Sequence, residues 1–123
     1  MLHHVAIEVA PSDVGRALVF WKLLGFAIVD PPAPLAGSAT WLEHDGTQIH
    51  LMHADPPTVS EHGHIAVVAP DFEATVGRLR DSGFEVTEKR ELWGSPRALA
   101  IAPEGNRVEL MEAPPPPGTR PSG

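Results

Sequence analysis

Gly46-Thr-Gln-Ile-His50-Leu-Met52 and Gly105-Asn-Arg-Val-Glu109-Leu-Met111 are one pattern written twice. Each is a turn glycine, two polar residues, a β-branched residue, a side chain able to bind metal, then Leu-Met. Working outward, the opening segments match too, His4-Val-Ala-Ile7 against His64-Ile-Ala-Val67. Between opening and closing segments lie two helical stretches that end in Gly25-Phe26 and Gly83-Phe84. The spacing from His4 to His50 is 46 residues and that from His64 to Glu109 is 45. So many matches in register identify an internal repeat, which decides the fold before any local assignment does.

Each copy reads as β-α-β-β-β. His4 to Val9 alternates with β-branched Val5, Ile7 and Val9 on one face. Ser12 and Asp13 are N-cap candidates for a helix whose apolar positions are Ala17, Leu18, Phe20, Trp21 and Leu24, with Gly25 as its stop. A strand follows over 26–30, a Pro/Ala-rich loop over 30–38, and a hairpin over 39–43 and 47–53 across an Asp-Gly turn. The second copy predicts a strand over 64–68, a helix over about 71–82, a strand over 84–88 and a hairpin over 97–101 and 107–112. The expected fold is α+β, two βαβββ modules in a curved, incomplete-barrel mixed sheet with helices outside. Module one covers 2–54, a linker 55–62, module two 63–112, and a Pro-rich tail 113–123 is expected to be loose and extended.

Composition narrows the chemistry. The chain has 123 residues, enough for one domain, and 42% are apolar. Nine Lys and Arg against sixteen Asp and Glu leave a formal charge of −7, which disfavours nucleic acid and anionic membrane as partners. No apolar run is long enough to span a bilayer, and the opening residues lack the basic start of a signal peptide, so a cytoplasmic address is expected. Without cysteine there is no disulfide, thiolate nucleophile or Cys-type metal site, and without tyrosine no phenol can serve as acid or base. Seven histidines direct attention to metal or proton transfer.

Strand parity selects among them, because side chains alternate faces. With Val5, Ile7 and Val9 under the helix, His4, Ala6 and Glu8 face the other way, and so do Gln48, His50 and Met52. In the second copy the same parity puts His64 and Ala66, then Arg107, Glu109 and Met111, on the non-helix face. His4, His50, His64 and Glu109 are therefore the expected ligands of a divalent ion, gathered in the concavity of the sheet. Three imidazoles and a carboxylate suit Zn²⁺, Ni²⁺, Co²⁺, Mn²⁺ or Fe²⁺. His3 is off parity and is expected on the helix side or in solvent; His53, also off parity, and His44, in a turn, are expected to be solvated, and His62 in the linker is expected at the surface. Glu8 shares the ligand face as a strand carboxylate and secondary base candidate.

Four stretches carry a family resemblance: His4-Val-Ala-Ile-Glu-Val9, Phe20-Trp21-Lys22-Leu23-Leu24-Gly25-Phe26, Gly63-His64-Ile65-Ala66, and Pro103-Glu-Gly-Asn-Arg-Val-Glu109-Leu. Over about residues 2–112 the chain resembles the vicinal oxygen chelate superfamily, which includes glyoxalase I, methylmalonyl-CoA epimerase, fosfomycin-resistance proteins, extradiol dioxygenases and bleomycin-binding proteins. The resemblance places metal ligands at His4, His50, His64 and Glu109. Position 50 departs from it, being Glu in glyoxalase I and Gln in the epimerase. With a neutral His there, Glu109 is the only carboxylate of the set and the main candidate base. The segment 31–38, where the epimerase carries a catalytic Glu, has no carboxylate. The resemblance implies a glyoxalase I-like lyase or isomerase that stabilises an enolate-like anion of a small oxygenated substrate. The alternatives are a bleomycin-resistance-type binding protein for a small cationic drug and a fosfomycin-resistance-type metal-dependent thiol transferase, to which Arg97 and Arg107 could contribute.

The linker is short and stiffened by Pro56 and Pro57, which favours modules laid edge to edge over modules folded face to face. Edge-to-edge modules leave two half-sites per chain. The expected working unit is then a homodimer whose sites join His4 and His50 of one chain to His64 and Glu109 of the other.

Overall fold

The repeat folds as two successive β-α-β-β-β modules in the computed structural model, which describes residues 1–118, 120 and 121. Module one comprises β1 (His4–Val9), α1 (Val14–Leu23), β2 (Ala27–Val29), β3 (Ala39–His44) and β4 (Thr47–His53). Module two comprises β5 (His64–Val68), α2 (Phe72–Asp81), β6 (Val86–Lys89), β7 (Arg97–Ile101) and β8 (Arg107–Met111). The mixed sheet is divided into two four-stranded halves, ordered β1-β4-β3-β2 and β5-β8-β7-β6, and no barrel closes. In each half the first strand runs parallel to the last, and the other pairs are antiparallel.

The duplication extends to register. Ala6 lies opposite His50 in module one, and Ala66 opposite Glu109 in module two. His4 pairs with Gln48 and His64 with Arg107, so each opening histidine sits one diagonal step from the residue that closes its copy. Apolar parity sets this register, because a one-residue slip would turn every strand inside out. Val9, Ile49 and Leu51, and likewise Val108 and Leu110, are buried under the helices.

Both helices stop in the same way. The N–H of Gly25 bonds to the Lys22 carbonyl and that of Phe26 to the Trp21 carbonyl; Gly83 and Phe84 bond to Arg80 and Leu79 in the same pattern. Gly25 and Gly83 have φ of 96° and 86°, the left-handed geometry this closure requires. The closure also explains why β2 and β6 start later than their apolar patterns predict: Phe26 and Phe84 are still closing the preceding helix. At the N-terminus of α1 neither Ser12 nor Asp13 caps with its side chain; a 3₁₀ turn over Pro11–Asp13 leads into the helix instead. Proline at the first position of that turn needs no N–H partner.

A single apolar core joins the modules, with Phe20 and Trp21 from α1 and Phe72, Val76 and Leu79 from α2. Phe20 meets Phe84 edge-on at 5.3 Å. Arg16 completes the junction: its Nη2 donates to the Ser82 carbonyl at 2.9 Å and its guanidinium lies 4.1 Å from the Phe84 ring centroid. On the sheet side, β1 and β5 face each other across a seam without pairing, and Val5 and Ile7 share a small cleft with Ile65 and Arg107. The modules are thus laid edge to edge within one chain.

Among the described residues, the C-terminal segment is tied to the second module at its start. Trp93 Nε1 donates to the Ala113 carbonyl, and the Ala113 N–H donates to Ser95 Oγ. Residues 114–117 are exposed and in neither helix nor strand, while positions 119, 122 and 123 of the expected tail lie outside the described residues. No helix among the described residues is long and apolar enough to cross a membrane.

Candidate functional site

Module one presents a column of rings on its non-helix face. Trp41 lies directly across β3–β4 from His50. Their rings stack at 3.9 Å with planes 1° apart, and His4 stacks on the other side of His50 at 4.1 Å. His50 is 6% exposed, so its ring is held between two neighbours with little freedom. Burial, and after it the neighbouring His4 and His3, hold the His50 pKa below the ordinary imidazole value. The neutral ring is the form that ligates metal. Its Nε2 is 2.7 Å from Gln48 Oε1, and Gln48 in turn donates to Glu43. With an oxygen acceptor at Nε2, the lone pair of His50 is on Nδ1, and ligation through Nε2 requires Gln48 to swing away.

His3, expected on the helix side or in solvent because it is off parity, is exposed, yet it stands over His4 with the two Nδ1 atoms 3.0 Å apart. One of those nitrogens must donate to the other. When His4 is the donor, its Nε2 carries the lone pair, so His3 orients a ligand candidate without being one.

Module two presents His64 and Glu109. The His64 Nδ1 is 3.3 Å from the His62 carbonyl, an acceptor only, so this nitrogen carries the hydrogen. Its Nε2 faces Glu109 Oε1 at 3.2 Å. With Nδ1–H committed, a neutral His64 turns a lone pair toward a carboxylate oxygen. Two acceptors at that distance are positioned to share a cation. Ligand atoms about 2.1 Å from one ion, separated by 90–109°, stand roughly 3.0–3.4 Å apart. The observed separation fits. The other carboxylate oxygen, Oε2, is 3.6 Å from Arg97 Nη1, and Glu109 is largely buried.

The expected gathering of all four ligands in one concavity does not occur within a chain. Among the described residues no three His, Asp or Glu side chains come together in a metal-binding arrangement. The quartet is instead split into His4 with His50 on one sheet and His64 with Glu109 on the other. The physical reason is the edge-to-edge seam, which sets the two non-helix faces side by side. The His64–Glu109 half has the donor types and spacing of a partial divalent site, the His4–His50 half is a pair of stacked imidazoles, and neither is complete alone.

The remaining candidates have structural roles. Glu8, the secondary base candidate, accepts the Thr58 N–H at 2.9 Å and so holds the linker against β1. His53 Nε2 is 2.9 Å from Thr40 Oγ1, and His44 packs beside Gly25 and Phe26. His62 is exposed in the linker and contributes its carbonyl to His64. The clefts differ in chemistry. One of about 270 Å³ contains His64 and Glu109 with Lys89, Arg97, Leu99 and Arg107. Another of about 310 Å³, at the junction of the end of α1 with the start of α2, contains neither ligand pair. Sequence reasoning missed Trp41 and the orienting role of His3. The adjacent His-His pair signalled the latter, whereas Trp41 became visible only with the β3–β4 register.

A family model described as the Glyoxalase/Bleomycin resistance protein/Dioxygenase superfamily matches residues 1–110. Among solved structures, the chain is similar to a protein from Bacillus anthracis assigned to the glyoxalase family, with 20% identity, TM-score 0.80, and coverage of 90% of this chain and 93% of that one. It is similar to the fosfomycin resistance protein FosX from Listeria monocytogenes, with 17% identity, TM-score 0.72 and coverage of 90% and 91%. A third similar structure is a lactoylglutathione lyase from Agrobacterium tumefaciens, with 16% identity, TM-score 0.69 and coverage of 90% and 92%. At these identities the likeness is one of fold. No curated protein matches the chain in sequence.

Proposed function

Because the chain belongs to the Glyoxalase/Bleomycin resistance protein/Dioxygenase superfamily, we propose that it is a divalent-metal-dependent enzyme, a glyoxalase I-like lyase or isomerase acting on a small oxygenated substrate. The observation that carries this reading is the His64–Glu109 pair, in which an anchored imidazole nitrogen and a carboxylate oxygen stand at ligand spacing. His4 and His50 occupy the equivalent register positions in module one. In this proposal they complete the set from a second subunit, so that each site of a homodimer draws two ligands from each chain. A bound divalent ion would supply Lewis acidity toward two neighbouring oxygens of the substrate.

The protein groups divide the remaining work. Glu109 is the only carboxylate of the set and serves as both ligand and base, moving a proton between adjacent substrate carbons. Arg97 beside its Oε2 limits the directions from which that oxygen is reached. The half-buried Trp41 and the buried His50 stack on each other and form one side of the module-one half of the site. The test is metal analysis of purified protein, with turnover on the hemithioacetal of methylglyoxal and a thiol. His64→Ala is expected to lose the metal, and Glu109→Gln to keep it while losing turnover. Full occupancy in His64→Ala would end the proposal.

A second reading, binding of a small molecule without turnover, is favoured by one observation. Gln48 engages the His50 Nε2 and so withholds one of the two ring nitrogens from a metal. Metal-free purified protein that binds a ligand tightly and turns over nothing would establish it.

A further inference from the structure

The second sheet holds a concentration of positive charge that runs against the rest of the molecule. The formal charge of the chain is −7, and no Lys or Arg occurs in any strand of module one. On the non-helix face of module two, however, three of the nine cations in the chain surround the Glu109 carboxylate. Strand pairing sets them there. Arg107 is two residues before Glu109 on β8, and Arg97 is two residues before Leu99, which lies opposite Glu109. Lys89 lies directly opposite Arg97 across β6–β7. Like charges placed directly opposite each other on one face are destabilising. Among the described residues, neither Lys89 nor Arg107 has a carboxylate within 4.0 Å, and Arg97 has only Glu109, at 3.6 Å. A chain with an excess of acidic residues thus leaves three cations around a cleft of about 270 Å³ with one carboxylate among them.

From this placement we infer that the ligand of the site carries an oxyanionic acid group, a carboxylate or a phosphonate, received by Lys89, Arg97 and Arg107. The inference rests on the proposal that this face is the ligand site, and it specifies the substrate class. Planar guanidinium groups suit two-oxygen recognition of such acids, and Lys89 adds a point charge. Arg97 is pre-oriented for the task, since its Nε is committed to the Arg90 carbonyl at 2.8 Å. The remaining guanidinium nitrogens are held at the cleft beside Glu109. The acid group therefore binds next to the proposed base and leaves the rest of the ligand to extend toward it. A cationic drug is the opposite of what this lining accepts.

The test is a titration of purified protein, labelled for NMR of arginine side-chain N–H groups, with methylphosphonate and separately with acetate. Arg97 and Arg107 signals should shift saturably with at least one of the two, and the tighter probe identifies the acid class. In Lys89→Gln/Arg107→Gln the Arg97 response should weaken roughly tenfold or more, as expected when two charged partners of an acid are removed. Arg78→Gln, a cation on α2 paired with Asp71, should leave it unchanged. Metal content of the double variant should equal that of the wild type, since neither residue is a proposed ligand. Equal affinity in the double variant, no saturation with either probe, or preferential binding of tetramethylammonium would overturn the inference. Loss of metal in His64→Ala with anion binding retained would leave it standing, whereas a metal-bound protein that takes no anion would refute it and spare the metal assignment.

Discussion

Replacing Arg16 by Ala should loosen the junction on which the edge-to-edge arrangement depends. Arg16 on α1 reaches across to module two, donating to the Ser82 carbonyl at 2.9 Å and lying 4.1 Å from the Phe84 ring centroid. Ser82 is the C-cap of α2, where carbonyls lack helical partners and a cation complements the helix dipole. The side chain is exposed, so the hydrogen bond contributes about 0.5–1.5 kcal/mol and the cation–π contact about 0.5–1 kcal/mol. The expected destabilisation is about 1–2.5 kcal/mol, read as a lower midpoint in urea with unchanged slope and a fall in Tm of about 3–12 °C. A double-mutant cycle with Phe84→Leu should return a coupling of about 0.5–1 kcal/mol. Arg16→Lys should recover only part of the loss, because an ammonium keeps the charge but not the planar stacking. A change below about 0.3 kcal/mol, or no coupling to Phe84, would refute the junction. Destabilisation that grows on dilution would instead place the contact between subunits.

Three further outcomes follow from single residues. Glu104 is pushed above the ordinary carboxylate pKa by burial, with Asp13 adding to the effect and Asn106 opposing it. A folded-state pKa raised above the unfolded one means that its contribution to stability is full below about pH 4 and lost as pH rises through the folded value. Glu104→Gln should therefore flatten that part of the stability profile, and identical pH slopes in variant and wild type would contradict the burial. Gly25→Ala should cost about 1–3 kcal/mol in urea unfolding, because φ is 96° and a Cβ would stand 3.1 Å from His44 Cε1; a neutral substitution would count against the left-handed closure. Glu8→Ala should release the linker at Thr58, seen as faster amide exchange there, with metal content unchanged.

Much of this molecule was legible because the sequence repeats itself. Two copies of one pattern gave the module order, and alternation along β1, β4, β5 and β8 put His4, His50, His64 and Glu109 on the non-helix face. What alternation could not supply was relative position. Parity says which face a residue occupies, not whether two faces coincide, so the expectation of two half-sites came from the short linker with Pro56 and Pro57 and not from alternation. Lys89 escaped notice for a related reason. Phe84 read as the start of a strand but is spent closing α2, which shifts β6 to Val86–Lys89 and brings Lys89 opposite Arg97. Trp41 lies outside the repeated stretches, and its pairing with His50 depends on hairpin register. The N-cap expected from Ser12 and Asp13 gave way to a 3₁₀ turn begun by Pro11.

The central claim is that each metal site takes His4 and His50 from one chain and His64 and Glu109 from its partner. Co-expression of His4→Ala chains with Glu109→Ala chains, followed by isolation of the mixed dimer through two different tags, tests it directly. In the mixed dimer one site carries both substitutions and the other carries none. The account predicts one divalent ion per mixed dimer, two per wild-type dimer and none in either homodimeric variant. A mixed dimer without metal, or a wild-type monomer by light scattering that holds a full equivalent, would contradict it.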